Sequence, residues 1–518
     1  MKGKKIGATL AVVFVILGLN FTSRAEDVYE EWVAIYNGPG NQGDHPLAIA
    51  SDPQGNFYIT GYSYISDSGG NFTTIKYSPF GEILWVRRHR NPDSESWAGF
   101  DIALDDSGDV YVTGENATIK YSTDGEINWT RYSRGRQIAV DRGMNAIVSD
   151  GSYAGSKLIK YNPVGDSLWS RQHFYVNDLN VESLTERVYV TGASGNDFGT
   201  AVYSSNGDLQ WLATYDSGFG NTDVAKAIDV DEFGNVYVTG RSQGYGILFD
   251  IVTIKYDSWG NVTWLKRFKG PLGVHDSACR IKVDVQENVY VAGTADSNDS
   301  PSIHTENFVC IKYTPDGDTL WTRYYDGPVS GVDVACDMAL DDSANVYVAG
   351  YSVGIGSETD FATLKYKSDG SLAWLKRYNR QGVSIELFPV IALDRDGNVC
   401  LTGWSLIDNT DWITIKYSPC TSSSPKAGDA SLDNSLSIAD VVRTVDYIFN
   451  RGPILVKLPP CDSNLFDCWV YNQHCRYDWN GDKKITLGDC IRALNFLFQR
   501  PGDWSPVPSL GCCPFPPQ

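Results

Sequence analysis

The sequence predicts an all-β chain, a closed β-propeller of eight four-stranded blades, followed by a small α-helical module of different character. Three observations predict it. Eight tryptophans, Trp32, Trp85, Trp129, Trp169, Trp211, Trp264, Trp321 and Trp374, open the same pattern at spacings of 40 to 57 residues. The chain of 518 residues holds 50 Gly, 30 Tyr and 15 Trp but only three Met, which suits many short strands and tight turns rather than helix bundles. After residue 417 the period stops, and two Asp-rich loops replace it.

The first element is a signal peptide over 1–25. Lys2, Lys4 and Lys5 form its charged region, Ile6 to Leu19 its apolar run, and Ser23-Arg24-Ala25 its cleavage site. The apolar run is short for a membrane span, and no later segment is apolar enough to cross a bilayer. The expected location is therefore secreted or extracellular. Export permits disulfides, and seven of the 11 Cys crowd residues 420–513, although their pairing cannot be read from sequence. The chain carries 43 Lys+Arg against 63 Asp+Glu, a net charge of −20, which repels phosphate backbones and excludes a nucleic-acid partner.

The propeller spans 32–417. Each unit has a β-rich stretch ending in Asp, a Gly/Asn turn, an aliphatic strand ending in Gly, a Thr/Ile-Lys-Tyr strand, and then the Trp strand. The unit from Ala227 to Trp264 shows it well: Asp231, Gly234-Asn235, Val236 to Gly240, Thr253 to Tyr256, Trp264. Four strands at this period are the propeller signature. Asp is expected to cap the hairpin and Gly to take φ > 0. Lys of the Lys-Tyr strands is expected to form blade-to-blade ion pairs, its stem snorkelling. The strand Trp32–Tyr36 precedes the first unit, while the last unit stops at Ile415-Lys416-Tyr417. The N-terminal strand is thus expected to complete the eighth blade and remove the open edge. Residues 133–192 are the most degenerate, with an irregular stretch from Leu179 to Glu186. This pattern resembles the bacterial β-propeller repeats known as SBBP, nominally seven-bladed, over about residues 32–417.

A linker at 418–427 leads to a second module over 428–500, and a Pro/Cys-rich tail fills 501–518. Asp429, Ser431, Asp433, Ser435, Ser437 and Asp440 precede the amphipathic run Val441–Phe449. Asp478, Asn480, Asp482, Lys484, Thr486 and Asp489 precede Cys490–Phe498 in a second copy. Loop positions 1, 3, 5, 9 and 12 hold oxygen-bearing side chains and position 7 offers a carbonyl, the spacing that wraps a hard cation in oxygen. Two calcium ions are expected, one per loop. The pair resembles a type I dockerin, whose loops end in Asp and lack an entering helix. That resemblance implies docking to a cohesin-like module, often in the service of polysaccharide use. A Cys-containing insertion (Cys461, Cys468, Cys475) departs from the dockerin pattern, as do Ile438-Ala439 and Leu487-Gly488 where recognition residues are expected.

No catalytic residue is assigned. Gly240-Arg-Ser242-Gln-Gly244 and Gly350-Tyr-Ser352-Val-Gly354 fit a nucleophile-elbow pattern, but both fall at one repeat position without the strand-to-helix turn that chemistry needs. The six His (45, 89, 173, 275, 304, 474) show no metal-ligand spacing. One constellation stands out: Asp44, Asp223, Asp276, Asp333 and Glu386 each lie eight residues before the Asp that ends a first strand. They either cap the turns at the strand starts or ring one channel mouth as a site for a cation or basic ligand. Two functions follow. The first is a non-catalytic binding or scaffold protein, its expected partners a cohesin-like module and either carbohydrate or another extracellular protein. The alternative is an extracellular polysaccharide-active enzyme, a glycoside hydrolase or lyase, which would need two facing carboxylates that the repeat does not single out.

Overall fold

The computed structural model describes residues 28–419, apart from 67–68, 91–97, 152–155, 219–221, 245–247, 272–274, 297–305, 381–383 and 408. The signal peptide, nearly all of the linker, both calcium loops and the Cys-rich tail lie outside the described residues. So do Trp97, His304 and His474. Every regular element among the described residues is a β-strand, and no helix there is long and apolar enough to cross a membrane.

Each repeat forms an antiparallel meander of four strands, as the period requires. In blade 5 these are Asp223–Val230, Val236–Gln243, Phe249–Tyr256 and Val262–Phe268, hydrogen-bonded in chain order. The first hairpin is built by one carboxylate. Asp231 accepts the backbone N–H groups of Phe233 and Asn235, both at 2.9 Å, the Asn235 amide at 2.8 Å and the Tyr237 hydroxyl at 2.9 Å. Asp52, Asp284 and Asp341 do the same in blades 1, 6 and 7. Gly234 sits at φ 77° in this turn, as expected for an αL position. Blades 3, 6 and 7 instead place Met144, Glu287 and Ala344 at φ 59–61° there. In blades 6 and 7 these turns keep the full Asp cap, whereas in blade 3 Asp141 holds the Asn145 N–H and amide alone.

The degenerate stretch is more regular than expected. Tyr175–Val181 is an unbroken first strand, and Glu182 takes the place of Asp, receiving the Tyr189 hydroxyl at 3.0 Å. The longer side chain reaches the same tyrosine, so the hairpin survives the substitution.

The second and third strands are buried on both faces, which explains the aromatic content. Neighbouring blades are latched at their outer hairpins. The Trp264 indole donates to the Pro315 carbonyl of the next blade at 2.9 Å, and six other blade tryptophans make the equivalent bond at 2.9–3.2 Å. That hairpin must carry glycine: Gly317 has φ 85°, and a Cβ on it would stand 2.9 Å from the Trp264 ring.

The lysines pair differently from expectation. Their heads are buried rather than snorkelled, with Lys120, Lys160 and Lys416 only 3–4 % exposed. Lys120 meets Asp105 of its own blade at 3.3 Å, Lys160 meets Asp141 at 2.7 Å, and Lys416 meets Asp394 at 3.6 Å. Among these, only Lys255 pairs with an acid of the next blade, Glu287 at 3.1 Å. What crosses the seam is a hydrogen bond. Lys76, Lys160, Lys255, Lys312 and Lys416 each donate to the carbonyl that also receives the tryptophan. For Lys120, Lys160 and Lys416 the hairpin Asp of the same blade lies within 4 Å of the ammonium, so there the charge is neutralised within the blade.

The last blade takes three strands from its own repeat, Ile385–Leu393, Val399–Leu406 and Thr410–Pro419, and a fourth from the N-terminus. Val28–Tyr36 pairs antiparallel with Thr410–Pro419, from Val28↔Pro419 to Tyr36↔Trp412. Trp32 on this strand and Lys416 both donate to Pro79 of blade 1.

Candidate functional site

The five acids singled out in sequence lie within one residue of the start of the first strands of their blades. All five are fully buried. Each takes the backbone N–H six residues earlier, where the chain arrives from the preceding blade. Gly38 donates to Asp44, Gly270 to Asp276 and Gly327 to Asp333, each at 2.6 Å, and Ser217 donates to Asp223 at 2.8 Å. Glu386 receives Arg380 N–H at 3.4 Å and the Ser405 hydroxyl at 2.8 Å. Their contacts are those of the turn-capping alternative, and none of the five lines the axial cavity. An arriving loop has N–H groups that no strand satisfies, and a carboxylate at the strand start satisfies them. Burial raises the carboxyl of Asp276 to about 6 and lifts those of Asp44, Asp333 and Glu386 above the ordinary range.

Asp223 has further company. Asp197, which starts the third strand of blade 4, and exposed Asp216 can each offer a carboxylate oxygen such that all three lie within 4.8 Å of one another. Burial and these two neighbours raise the Asp197 carboxyl. The arrangement can present three oxygens to one cation.

The serines of both elbow-like motifs are fully buried in second strands, with no adjoining helix among the described residues. Ser242 accepts from Arg267 at 2.7 Å and Ser352 from Arg377 at 2.5 Å, so these hydroxyls position arginines. His45 stacks on Tyr62 with centroids 4.6 Å apart, and burial lowers its pKa to about 4. His173 is lowered to about 4 in the same way. Both rings are half-buried, and burial favours their neutral form.

The position sequence reading missed lies on the axis. A cavity of about 630 Å³ is lined by residues from the first strands of all eight blades. These strands are Asp44–Ser51, Gly99–Leu104, Gln137–Val140, Tyr175–Val181, Asp223–Val230, Ser277–Val283, Asp333–Leu340 and Ile385–Leu393. Seven of the first strands contribute an apolar residue three before the hairpin acid, among them Ile138, Ile228, Ile281 and Ile391. One residue earlier the repeat breaks. Ala48, Ala227 and Val390 hold that place in blades 1, 5 and 8, whereas the others carry Asp101, Gln137, Asp178, Arg280 and Asp337.

These carboxylates also stitch blades together, because an inner strand presents unpaired N–H groups toward the axis. Asp101 takes Ile138 N–H of the next blade at 2.9 Å, Asp178 takes Ile228 N–H at 2.9 Å, and Asp337 takes Ile391 N–H at 3.0 Å. Arg280 Nε donates to Asp337 at 2.6 Å across the seam between blades 6 and 7. Burial raises the Asp101 carboxyl to about 7 against its two N–H donors. Asp178 is also raised by burial, with Arg280 pulling the other way. Asp337 holds the Arg280 guanidinium firmly charged. The signal that finds this ring is a departure from the repeat at one register, not the repeat itself.

Residues 217–250 match the family described as beta-propeller repeat, SBBP. An uncharacterized WD repeat-containing protein, L264 of Acanthamoeba polyphaga mimivirus, is 24% identical over 420 residues, covering 71% of this chain. The match spans only 28% of that viral protein's length. Among solved structures, the Pan2 WD40 domain of Neurospora crassa aligns with TM-score 0.41 at 10% identity, covering 76% of this chain and 96% of that one. A catalytically inactive virginiamycin B lyase from Staphylococcus aureus, solved with quinupristin, aligns with TM-score 0.35 at 10% identity, covering 74% and 98%. Its meanders and its matched repeat make this chain a β-propeller repeat protein.

Proposed function

We propose that the chain is a secreted, non-catalytic binding protein whose closed propeller presents ligand and whose calcium-dependent, dockerin-like tail docks to a cohesin-like partner. The observation that carries the non-catalytic reading is how the polar groups of the described blades are used. Serines of the elbow-like motifs hold arginines, lysines face hairpin Asp, and the five buried acids cap turns. Closure is supported by the pairing of Val28–Tyr36 with Thr410–Pro419 and by the Pro79 latch. It is further supported by the sharing of one axial cavity among eight first strands.

The tail rests on its loop spacing. Without metal, six loop Asp (429, 433, 440, 478, 482 and 489) repel one another. Calcium neutralises them and fixes the start of each following run, Val441–Phe449 and Cys490–Phe498. Calorimetry on the full chain should register two calcium sites, with magnesium much weaker. Asp440→Ala combined with Asp489→Ala removes a carboxylate from position 12 of each loop and should abolish most of that heat. Unchanged calcium binding in the double variant refutes the loop assignment and with it the dockerin reading. Activity profiling on soluble polysaccharides, run beside a glycan array, separates binder from enzyme: turnover without a propeller-dependent glycan signal sinks the non-catalytic reading.

A further inference from the structure

We propose that the axial channel binds one small zwitterion of the α-amino-acid type, its carboxylate on Arg280 and its ammonium on the Asp178 and Asp101 side. The inference rests on the binding reading above and names the ligand class of its propeller.

The argument starts from the guanidinium. Asp337 engages Arg280 through Nε alone, at 2.6 Å, which fixes the plane of the fork. The side chain stays 37% exposed, and its place in the cavity lining gives that exposure to the channel. Among the described residues the terminal nitrogens have no protein acceptor within hydrogen-bond reach, so a preset pair of donors faces the axis. Such a fork matches a carboxylate or a phosphate in bidentate fashion.

The rest of the ring discriminates between those anions. Asp101 and Asp178 line the same cavity, and both feel the Arg280 charge. Their oxygens are held by main-chain N–H groups, so they cannot swing away from an incoming ligand. A bare dianion on Arg280 would meet these fixed carboxylates, whereas a ligand carrying its own ammonium would pair with them. Burial disfavours the anionic form of both acids, and an ammonium would relieve that cost. Lys282, Asp284, Asp341 and Asp342 also line the cavity, so acids outnumber cations along it, and a ligand with only negative charge is repelled from its ends as well. One register further, Ile138, Ile228, Ile281, Met338 and Ile391 offer an apolar band for an aliphatic side chain. The volume of about 630 Å³ falls in the range of small-ligand sites.

The test is titration calorimetry and saturation-transfer NMR on the full chain with L-leucine and L-glutamate, beside inorganic phosphate as a bare anion and putrescine as a bare cation. The expected result is 1:1 binding of at least one amino acid, with phosphate and putrescine silent at the same concentration. Arg280→Met and Asp178→Asn should each weaken that binding about tenfold or more. Arg280→Met strands Asp337 and can fail to fold. Asp178→Asn keeps an oxygen for a main-chain donor, so it serves as the second variant, with melting temperature as the control for both. Three results overturn the proposal: no amino acid binding, phosphate or putrescine binding in place of the amino acids, or amino acid binding that survives in a folded Asp178→Asn protein. Cohesin docking and calcium binding are unaffected by these outcomes. A channel failure therefore leaves the tail reading standing, and NMR signals of a chemically altered amino acid would separately overturn the non-catalytic reading.

Discussion

The outer hairpins and the axial channel are made from the same eight repeats and obey opposite rules. At the hairpins seven seams use the same parts: an indole and often a lysine on one carbonyl, and a glycine under the indole ring. Along the axis, the position four before the hairpin acid changes from blade to blade, through Ala, Asp, Gln, Arg and Val. A latch must fit its copy next door, so each blade constrains the following one. An axial side chain also borders open volume, and although Asp101, Asp178 and Asp337 bond the next blade, the blades with Ala48, Ala227 and Val390 do without that bond. The lesson is that uniform residues in such a ring read as architecture, and the register where uniformity fails is where ligand selectivity can be placed.

The largest effect should come from removing the N-terminal strand that pairs with Thr410–Pro419. Deleting residues 26–40 removes the strand Val28–Tyr36 and with it Trp32, which is 4% exposed and latched on Pro79. Thr410–Pro419 is then left as an open edge. Calorimetry should show aggregation or a melting temperature lower by about 10 °C or more. A truncated protein that melts like the intact one would show that the eighth blade does not close the ring in this way.

A finer test compares two glycines with the same backbone angle. Gly81 has φ 80° and lies under Trp32, where a Cβ would stand 2.7 Å from the ring. Gly397 has φ 75° in a first hairpin, where a Cβ would meet nothing within 4 Å. Gly397→Ala should cost only the backbone strain, about 1 kcal/mol. Gly81→Ala adds displacement of a buried indole at the closing seam and should cost about 2–4 kcal/mol in urea unfolding. Equal costs would mean that the latch has slack, and the contrast drawn between hairpin and channel would lose its basis.

The same contrast explains what the sequence revealed. Blade count, strand order and the hairpin Asp were legible because they repeat, and repetition is what a periodic reading detects. Leu179 to Glu186 looked irregular because Glu182 replaces Asp and Glu186, at φ 54°, stands in the glycine turn. The hydrogen-bond pattern accepts a longer acid that spacing alone does not credit. The lysine heads were misplaced because a sequence shows their charge but not that the hairpin acid of the same blade lies within 4 Å. Asp44 and its counterparts drew notice as a constellation because they too repeat, and their hydrogen bonds are those of the capping alternative. Asp101, Asp178, Arg280 and Asp337 escaped because no two neighbouring blades agree at that register.

The smallest effect, and the sharpest probe of the channel, is a difference in pH slope. The Asp101 carboxyl is raised to about 7 in the folded chain, above an unfolded value of 3.8. The folded protein therefore binds that proton more tightly than the unfolded chain. Its contribution favours folding increasingly as pH falls from about 7 toward 4, and it is lost as pH rises through 7. Total stability will not show this alone. Asp276, raised to about 6, adds a slope of the same sign. His45 and His173, both lowered to about 4, oppose it by losing stability as pH drops below their unfolded value of 6.5. Subtracting an Asp101→Asn variant cancels those shared groups. The variant loses a donor–acceptor match with Ile138 or Ile102 and should be less stable at every pH. The gap between wild type and variant should nonetheless widen from pH 8 to pH 5, because only the wild type gains by taking up the proton. Chemical unfolding at the two pH values measures that gap. A gap that stays constant would mean that Asp101 stays ionised from pH 8 to pH 5, its burial offset by Arg280 and its two N–H donors.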